Sequence, residues 1–476
     1  MKHVLRFLSS SMSSSMSSIK LSSMLVTLFI GLLFTACSGG ESGTGLSGGH
    51  PQVAVGVITG FGSVFVNGVE YDTSTAEITA NDAIATEQDL SIGTVVTVVG
   101  SANRSHTAGK ATAIVYESDV HGIVKQINPD GSLMVMGQTV ELDAETVFES
   151  DINTVKTTSD IPIGSVVEAS GYRTGDNILH ATHLILVSVA YSAGEPLTIK
   201  GTISSDFASG RFSLGDLVVA VDNTTEFSNI PNQQLIPGMK IKVKSMREIF
   251  NNEFLADKIE LSKSKYTNIG DFVEIEGIIM KPDLPAGEFL LNGYTVYFSN
   301  QTKFDGGSAS GLIEGVKAAV EGVLLSDNQI EAKNISLRNK SKIELTAQVT
   351  SVDITADQVN VSGVNVQLTS KTLLKDDDKT TKVKRFSIAD LYPGDKVQIK
   401  AREGGHANEI VATQFRRQKA QSTDNSFELK GVLDELGSDQ IIISGISVDI
   451  IRVLSPQLTS QDVGQEIIIT GTAPLH

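Results

Sequence analysis

Four short stretches carry residue types that do chemistry. "GFGSVF", Gly60 to Phe65, has the spacing of a phosphate-cradling loop up to its last position. A dinucleotide fingerprint needs a third glycine there and a helix after it. Phe65 takes that place and no helical period follows, so the stretch reads as a strand and turn. "GLSGG", Gly45 to Gly49, matches a nucleophile elbow in letters only. An elbow sits between a strand and a helix, and this one lies in a Gly/Ser tract. "HATH" offers His180 and His183 to zinc. On a strand, positions three apart face opposite sides, and a zinc site needs further ligands, so a solvated face is expected. "KDDDK" offers Asp376, Asp377 and Asp378 to calcium. It lacks the alternate spacing and bidentate Glu of an EF-hand loop, so a solvated, mixed-charge loop is expected. No paired-carboxylate or Cys/His catalytic set stands out. The reading assigns no catalytic residue, no metal and no cofactor.

The remaining reactive residue is Cys37, the single cysteine of the chain. It follows "MLVTLFIGLLFTA", whose apolar part is too short to span a bilayer. Lys2, Arg6 and Lys20 precede that run, and no acid occurs before Glu41. A positive start, an apolar core and small residues at the cut make a signal peptide. "FTAC" is similar to a bacterial lipobox, in which the cysteine is lipidated and becomes the mature N-terminus. Residues 1–36 are read as the leader and 37–52 as a Gly/Ser-rich tether. Ser38, where Asp would favour the inner membrane, points to the outer one. The expected address is the bacterial cell envelope, with the chain lipid-anchored through Cys37.

The elements that would position any site repeat. An opening strand recurs at Gly56, Gly122, Gly201, Gly277, Ala347 and Gly431. A second glycine follows within alternating apolar residues, at Gly68, Gly137, Gly215, Gly293, Gly363 and Gly445. Alternation marks half-buried strands, and Asn67-Gly68 and Asn292-Gly293 are strong hairpin signals. A third landmark, as in "LSIGTVVTV", places turn glycines at Gly93, Gly164, Gly238, Gly315, Gly394 and Gly464. Five units close with a further strand, from Ala111, Ala181, Ala256, Ala332 and Ala412. The sixth stops at "TGTAPLH", so its barrel is incomplete or another segment supplies the edge.

The expected fold is all-β: a tandem array of six small five-stranded OB-like barrels after the leader and tether. The units span 53–117, 118–190, 196–262, 271–338, 342–417 and 427–476, the last truncated. A split β-sandwich per unit is the alternative.

"GFGSVFVNGVEYD" and "DLSIGTVVTVVG" resemble a bacterial domain-of-unknown-function family, found as tandem β-repeat units in envelope lipoproteins. The first copy carries the resemblance most clearly. The resemblance implies no catalytic residues.

Charge narrows the function classes. A net charge of −17 repels nucleic acid, whose recognition needs clustered Lys and Arg. With no Trp and 5% aromatics, stacking platforms for sugars are scarce. Six similar units suit reach or multivalency better than a single chemistry. The reading favours a non-catalytic envelope lipoprotein, a scaffold or interaction protein with an unidentified envelope protein or glycan partner. The alternative is an oligosaccharide- or other ligand-binding array, and an enzyme is the remote third.

Overall fold

The computed structural model describes residues 50–475, with short omissions at 104, 144, 151, 153–154, 156, 176–177, 248, 250–252, 263–267 and 339–341. Cys37 and Gly45–Gly49 lie outside the described residues. Strands dominate, and the helical segments among the described residues are six single 3-10 turns.

Unit one shows the repeating plan. Its five strands are His50–Gly60, Val64–Val66, Val69–Asp72, Val95–Ala102 and Ala108–Tyr116. They pair in the order one-two-three-five-four and back to one, with strands three and five parallel. That circuit is a closed OB-type barrel, and closure removes sheet edges. Units two, four and five close in the same order. In unit three the ladder between strand one (Leu197–Thr202) and strand two (Arg211–Leu214) is missing; the Ser204 N–H donates to the Ser213 carbonyl at 2.9 Å there.

The connection from strand three to strand four is more ordered than its sequence implies. In units one to five it contributes a short strand parallel to strand five. Three units then enter strand four through a capping box, Thr86 with Asp89, Thr157 with Asp160 and Ser387 with Asp390. Each satisfies backbone donors at the start of a 3-10 turn.

All twelve landmark glycines have positive φ, between 58° and 103°. In five hairpins the preceding residue also has positive φ: Asn67, Met136, Asn292, Ser362 and Ser444. Two such residues make a type I′ turn, whose twist matches that of the strands. Unit three differs: Gly215 is the first of its two turn residues. The opening glycines serve the same hairpins. A Cβ on Gly56 would fall 1.8 Å from Asn67 Oδ1, so the absence of a side chain there makes room for the turn amide. Asn67 uses that room to donate to the Val55 carbonyl at 3.2 Å.

The units join through their first strands, and one of the three pairs joins units that are not consecutive. Unit one pairs with unit four in parallel, Val55 opposite Ile275. Unit two pairs with unit three, and unit five with unit six, both antiparallel. One apolar core runs through units two and three, from Val120 to Ile259. Another runs through units five and six, from Ile343 to Leu475. The core of unit one takes in Val147 from unit two and Leu373 from unit five.

Unit six resolves its open end in part. The Asn408 N–H of unit five donates to the Gly445 carbonyl at 3.0 Å, and Asn408 Oδ1 accepts from the Ser447 N–H at 2.7 Å. The Asp449 N–H donates to the carbonyl of Leu475, which is fully buried. Another unit and the tail thus cover the edge of strand three.

Candidate functional site

The stretches singled out for chemistry do not converge. "GFGSVF" forms the end of one strand, a bulged turn and the start of the next, with Phe61 in the core. His180 is half-buried between Asp143, at 3.2 Å, and Glu141, at 3.5 Å. The Asp143 hydrogen bond raises its pKa. Burial would raise the Asp143 carboxyl, but His180 and the Glu145 and Thr146 N–H groups pull it down to about 2. His183 is not on a solvated face. It is fully buried, its Nε2 3.8 Å from Glu149, where units two and five meet.

"KDDDK" is likewise not a solvated loop. Leu373–Asp376 is a strand parallel to strand five of its unit (Glu409–Lys419), and Lys375, Asp376 and Asp378 are buried. Arg417 grips Asp376 through two nitrogens, Nε at 3.1 Å, and reaches Asp395 at 3.6 Å. Arg416 pairs with Asp377. Backbone N–H groups of Ala420, Thr380 and Thr381 converge on Asp378 and lower it to about 2. Each of the three carboxylates thus already accepts from donors within its own unit. Among the described residues no three His, Cys, Asp or Glu side chains form a metal-binding group.

Sequence reasoning missed a cleft of about 460 Å³ where units one, two and three meet. An extra hairpin of unit one, Glu77–Ala80 and Ala83–Ala85, enters it with Asn81 and Asp82 at the turn. Both turn residues have positive φ, a conformation that Asn and Asp tolerate better than most. Lys242 of unit three faces Asp82 at 3.0 Å, Glu117 at 2.9 Å and Glu260 at 3.3 Å. Lys244 also bonds to Asp82. Burial disfavours the Lys242 charge, yet Glu117 and Asp82 outweigh it and its pKa is raised. Burial likewise opposes the Asp82 charge, and Lys244 and Lys242 hold its carboxyl well below the usual range.

On the other wall Glu168 accepts from Tyr116 OH at 2.6 Å and lies 3.1 Å from His121 Nδ1. Burial would raise Glu168, but His121 and Tyr116 lower it. Asn81 bridges the walls: its amide donates to Glu168 at 3.3 Å and its oxygen accepts from the Ser118 N–H at 2.9 Å. The arrangement fastens three barrels. A turn signal, Asn81-Asp82, was available in the sequence, but its partners lie 35 to 162 positions away.

Other junctions are polar too. Tyr172 OH of unit two donates to Glu276 of unit four at 2.9 Å, and Lys317 pairs with the same carboxylate at 2.7 Å. Lys375 of unit five meets Glu149 of unit two at 3.2 Å. Gln52 of unit one donates to Glu274 of unit four at 2.8 Å. Glu274 differs from the rest: burial, then the Glu321 charge, pushes its pKa up to about 8.

Hairpin tips complete the joints. Those of units two and three meet, the Asp216 N–H on the Gly137 carbonyl at 3.3 Å and Gln138 Nε2 on the Leu214 carbonyl at 3.1 Å. A Cβ on Gly137 would fall 2.4 Å from the Leu217 nitrogen, so glycine permits the approach. The unit-one tip lies against Ser370 and Lys371 of unit five, and Lys240 of unit three donates to the unit-four tip at the Gly293 carbonyl.

The outward face of strands two and three, where OB barrels bind ligands, is not shared across the units. Its cross-strand pair second from each turn is Phe65–Glu70, Met134–Thr139, Ser213–Val218, Leu290–Thr295, Asn360–Asn365 or Ile442–Ser447.

No curated protein matches the chain. One family's sequence profile matches four times, at residues 121–184, 200–260, 276–336 and 346–414, together more than half of the chain. The matches fall on units two to five. Unit one, whose residues carried the resemblance in the sequence, lies outside the matched segments. With barrels, repeats and profile in agreement, the chain belongs to the family described as Domain of unknown function (DUF5666).

Proposed function

We propose that this protein is a non-catalytic scaffold of the bacterial cell envelope, anchored by lipid on Cys37, with six β-units that act as one pre-assembled body. The observation that carries this reading is the use of the hairpin tips. Repetition would let each unit display the same loop to a partner, yet the tips of units one to four dock on other units. The ionic junctions point the same way, since their acids and bases neutralise one another across units. Variation of the outward cross-strand pairs weighs against an array of equivalent sugar sites.

The anchor and the body are tested separately. Cys37→Ser should abolish lipid labelling and release the protein from the membrane fraction; a mutant that still fractionates with membrane defeats the lipoprotein reading. Limited proteolysis of the folded chain should leave units two with three, and five with six, uncut as pairs, because each pair shares a core. Clean release of single units, roughly 70 to 80 residues by the repeat spacing, would instead support independent beads.

A further inference from the structure

Unit six lacks strand five among the described residues, and the other five units define what that strand covers. Strand four of unit six is Glu466–Thr472. The residue three positions after the third-landmark glycine is Val96, Val167, Ile241, Ala318 or Val397 in units one to five, each at most 1% exposed. Each lies opposite a strand-five residue: Tyr116, Leu186, Leu261, Leu337 or Arg417. In unit six this residue is Ile467, which is only partly buried, and the next, Ile468, is 50% exposed.

The edge is open at one end. The Leu433 N–H donates to the Gln465 carbonyl, so Gln465 and Ile467 aim their backbone groups at strand one. Glu466 and Ile468 therefore aim theirs outward. The strand Val453–Ser455 pairs with strand four only at Thr470 and Gly471. Ile451 and Leu454, 85% and 72% exposed, stand beside that pairing in the chain. A bare strand edge next to exposed apolar side chains is a template for another strand.

We propose that Glu466–Ile469 is a strand-accepting site, filled by an extended segment of another polypeptide that runs antiparallel to strand four. Its chemistry is set by the five strands that fill the equivalent slot. They place Ile114, Leu184, Ile259, Ile335 or Phe415 two residues before the covering residue, all fully buried. The partner therefore carries an apolar residue, any residue, then a large side chain that is Leu or Tyr in four of the five units, with no proline between. Backbone pairing supplies affinity and the alternate side chains supply selectivity. This goes beyond the scaffold reading and does not depend on the lipid anchor.

The test uses the full chain and a synthetic peptide copy of strand five of unit four, QIEAKNISLR, followed by amide hydrogen exchange. The peptide should slow exchange at Glu466 and Ile468 at least tenfold and leave unit-two amides unchanged. A peptide with serine in place of the residues matching Ile335 and Leu337 should have no effect. Ile468→Pro removes an edge donor at a position where an edge strand tolerates proline. It should abolish the peptide effect while unit-five exchange stays as in the parent. The proposal falls if the first peptide changes nothing, or if both peptides act equally. It also falls if Ile468 in the free chain exchanges as slowly as Gln398, its unit-five equivalent. If Ile468→Pro disturbs unit five, Ile468→Lys replaces it, with the same expected loss of protection.

Discussion

The junction among units one, two and three and the junction between units one and four solve one problem in opposite ways. Both place carboxylates between units. In the first, Lys242, Lys244 and His121 surround the acids, and Asp82 and Glu168 stay ionised. In the second, Glu274 has Gln52 as its hydrogen-bond donor, while Glu321 lies opposite it on the neighbouring strand. The protein settles that case by keeping the proton. A counterion fixes a charge, whereas an amide beside a second acid favours neutrality. The two joints should therefore respond differently to mutation and to pH.

The largest effect is expected at the ion-filled joint. Lys242→Met leaves Glu117, Glu260 and Asp82 without their shared cation. Removing one partner of a buried pair costs about 3 kcal/mol or more. Two of the acids are partly exposed, so about 2–3 kcal/mol is the expected loss, read by denaturant titration at pH 7. A neutral outcome would mean that this cluster holds nothing together.

Next comes the protonated joint, with the opposite sign. The Glu274 pKa is raised above its unfolded value, so the folded state keeps a proton that the unfolded chain loses. Its contribution is fully present below the unfolded pKa and is lost as pH rises towards about 8. Glu274→Gln should be close to neutral at pH 5 and stabilising by about 1–2 kcal/mol at pH 8. Asp82 runs the other way: its stabilisation is present above the unfolded pKa and is lost only as pH falls through its lowered folded value. Thermal melts of parent and variant between pH 5 and 9 would expose a missing trend.

A smaller effect is expected for Tyr116→Phe, which removes one donor to Glu168 and should cost about 1 kcal/mol. The smallest belongs to Lys371→Met. Its pair with Asp305, 3.8 Å long and largely exposed, joins units four and five. Such a pair contributes about 0–0.5 kcal/mol, so a large drop there would show that the exposed joints matter as well.

The repeat was legible because alternation and turn glycines are local signals. Gly68 and Gly293 follow Asn, and the chain turns there as the dipeptides imply. The strands between strands three and four were not legible. They are three or four residues long, and their partners lie 31 to 41 positions downstream. Asp376–Asp378 was misread for the same reason: the charge run looked solvated, while Arg416 and Arg417 wait in the closing strand of the same unit. That Arg417 sits where the other units place Tyr or Leu was the available clue. His183 was misread because its counterparts in three other units, Lys258, Asn334 and Gln414, are polar, while in unit two the position is interior where two units meet.

The parallel pairing of Gln52–Val55 with Phe272–Ile275 has a temporal consequence. Some 220 residues separate the two strands, so the ribosome delivers unit one long before its partner strand exists. Unit one is made before the five others and is among the last completed. Until unit four arrives, an apolar strand edge and Gln52 stay open to water and to other chains. A product that ends before residue 272 would keep that edge for good.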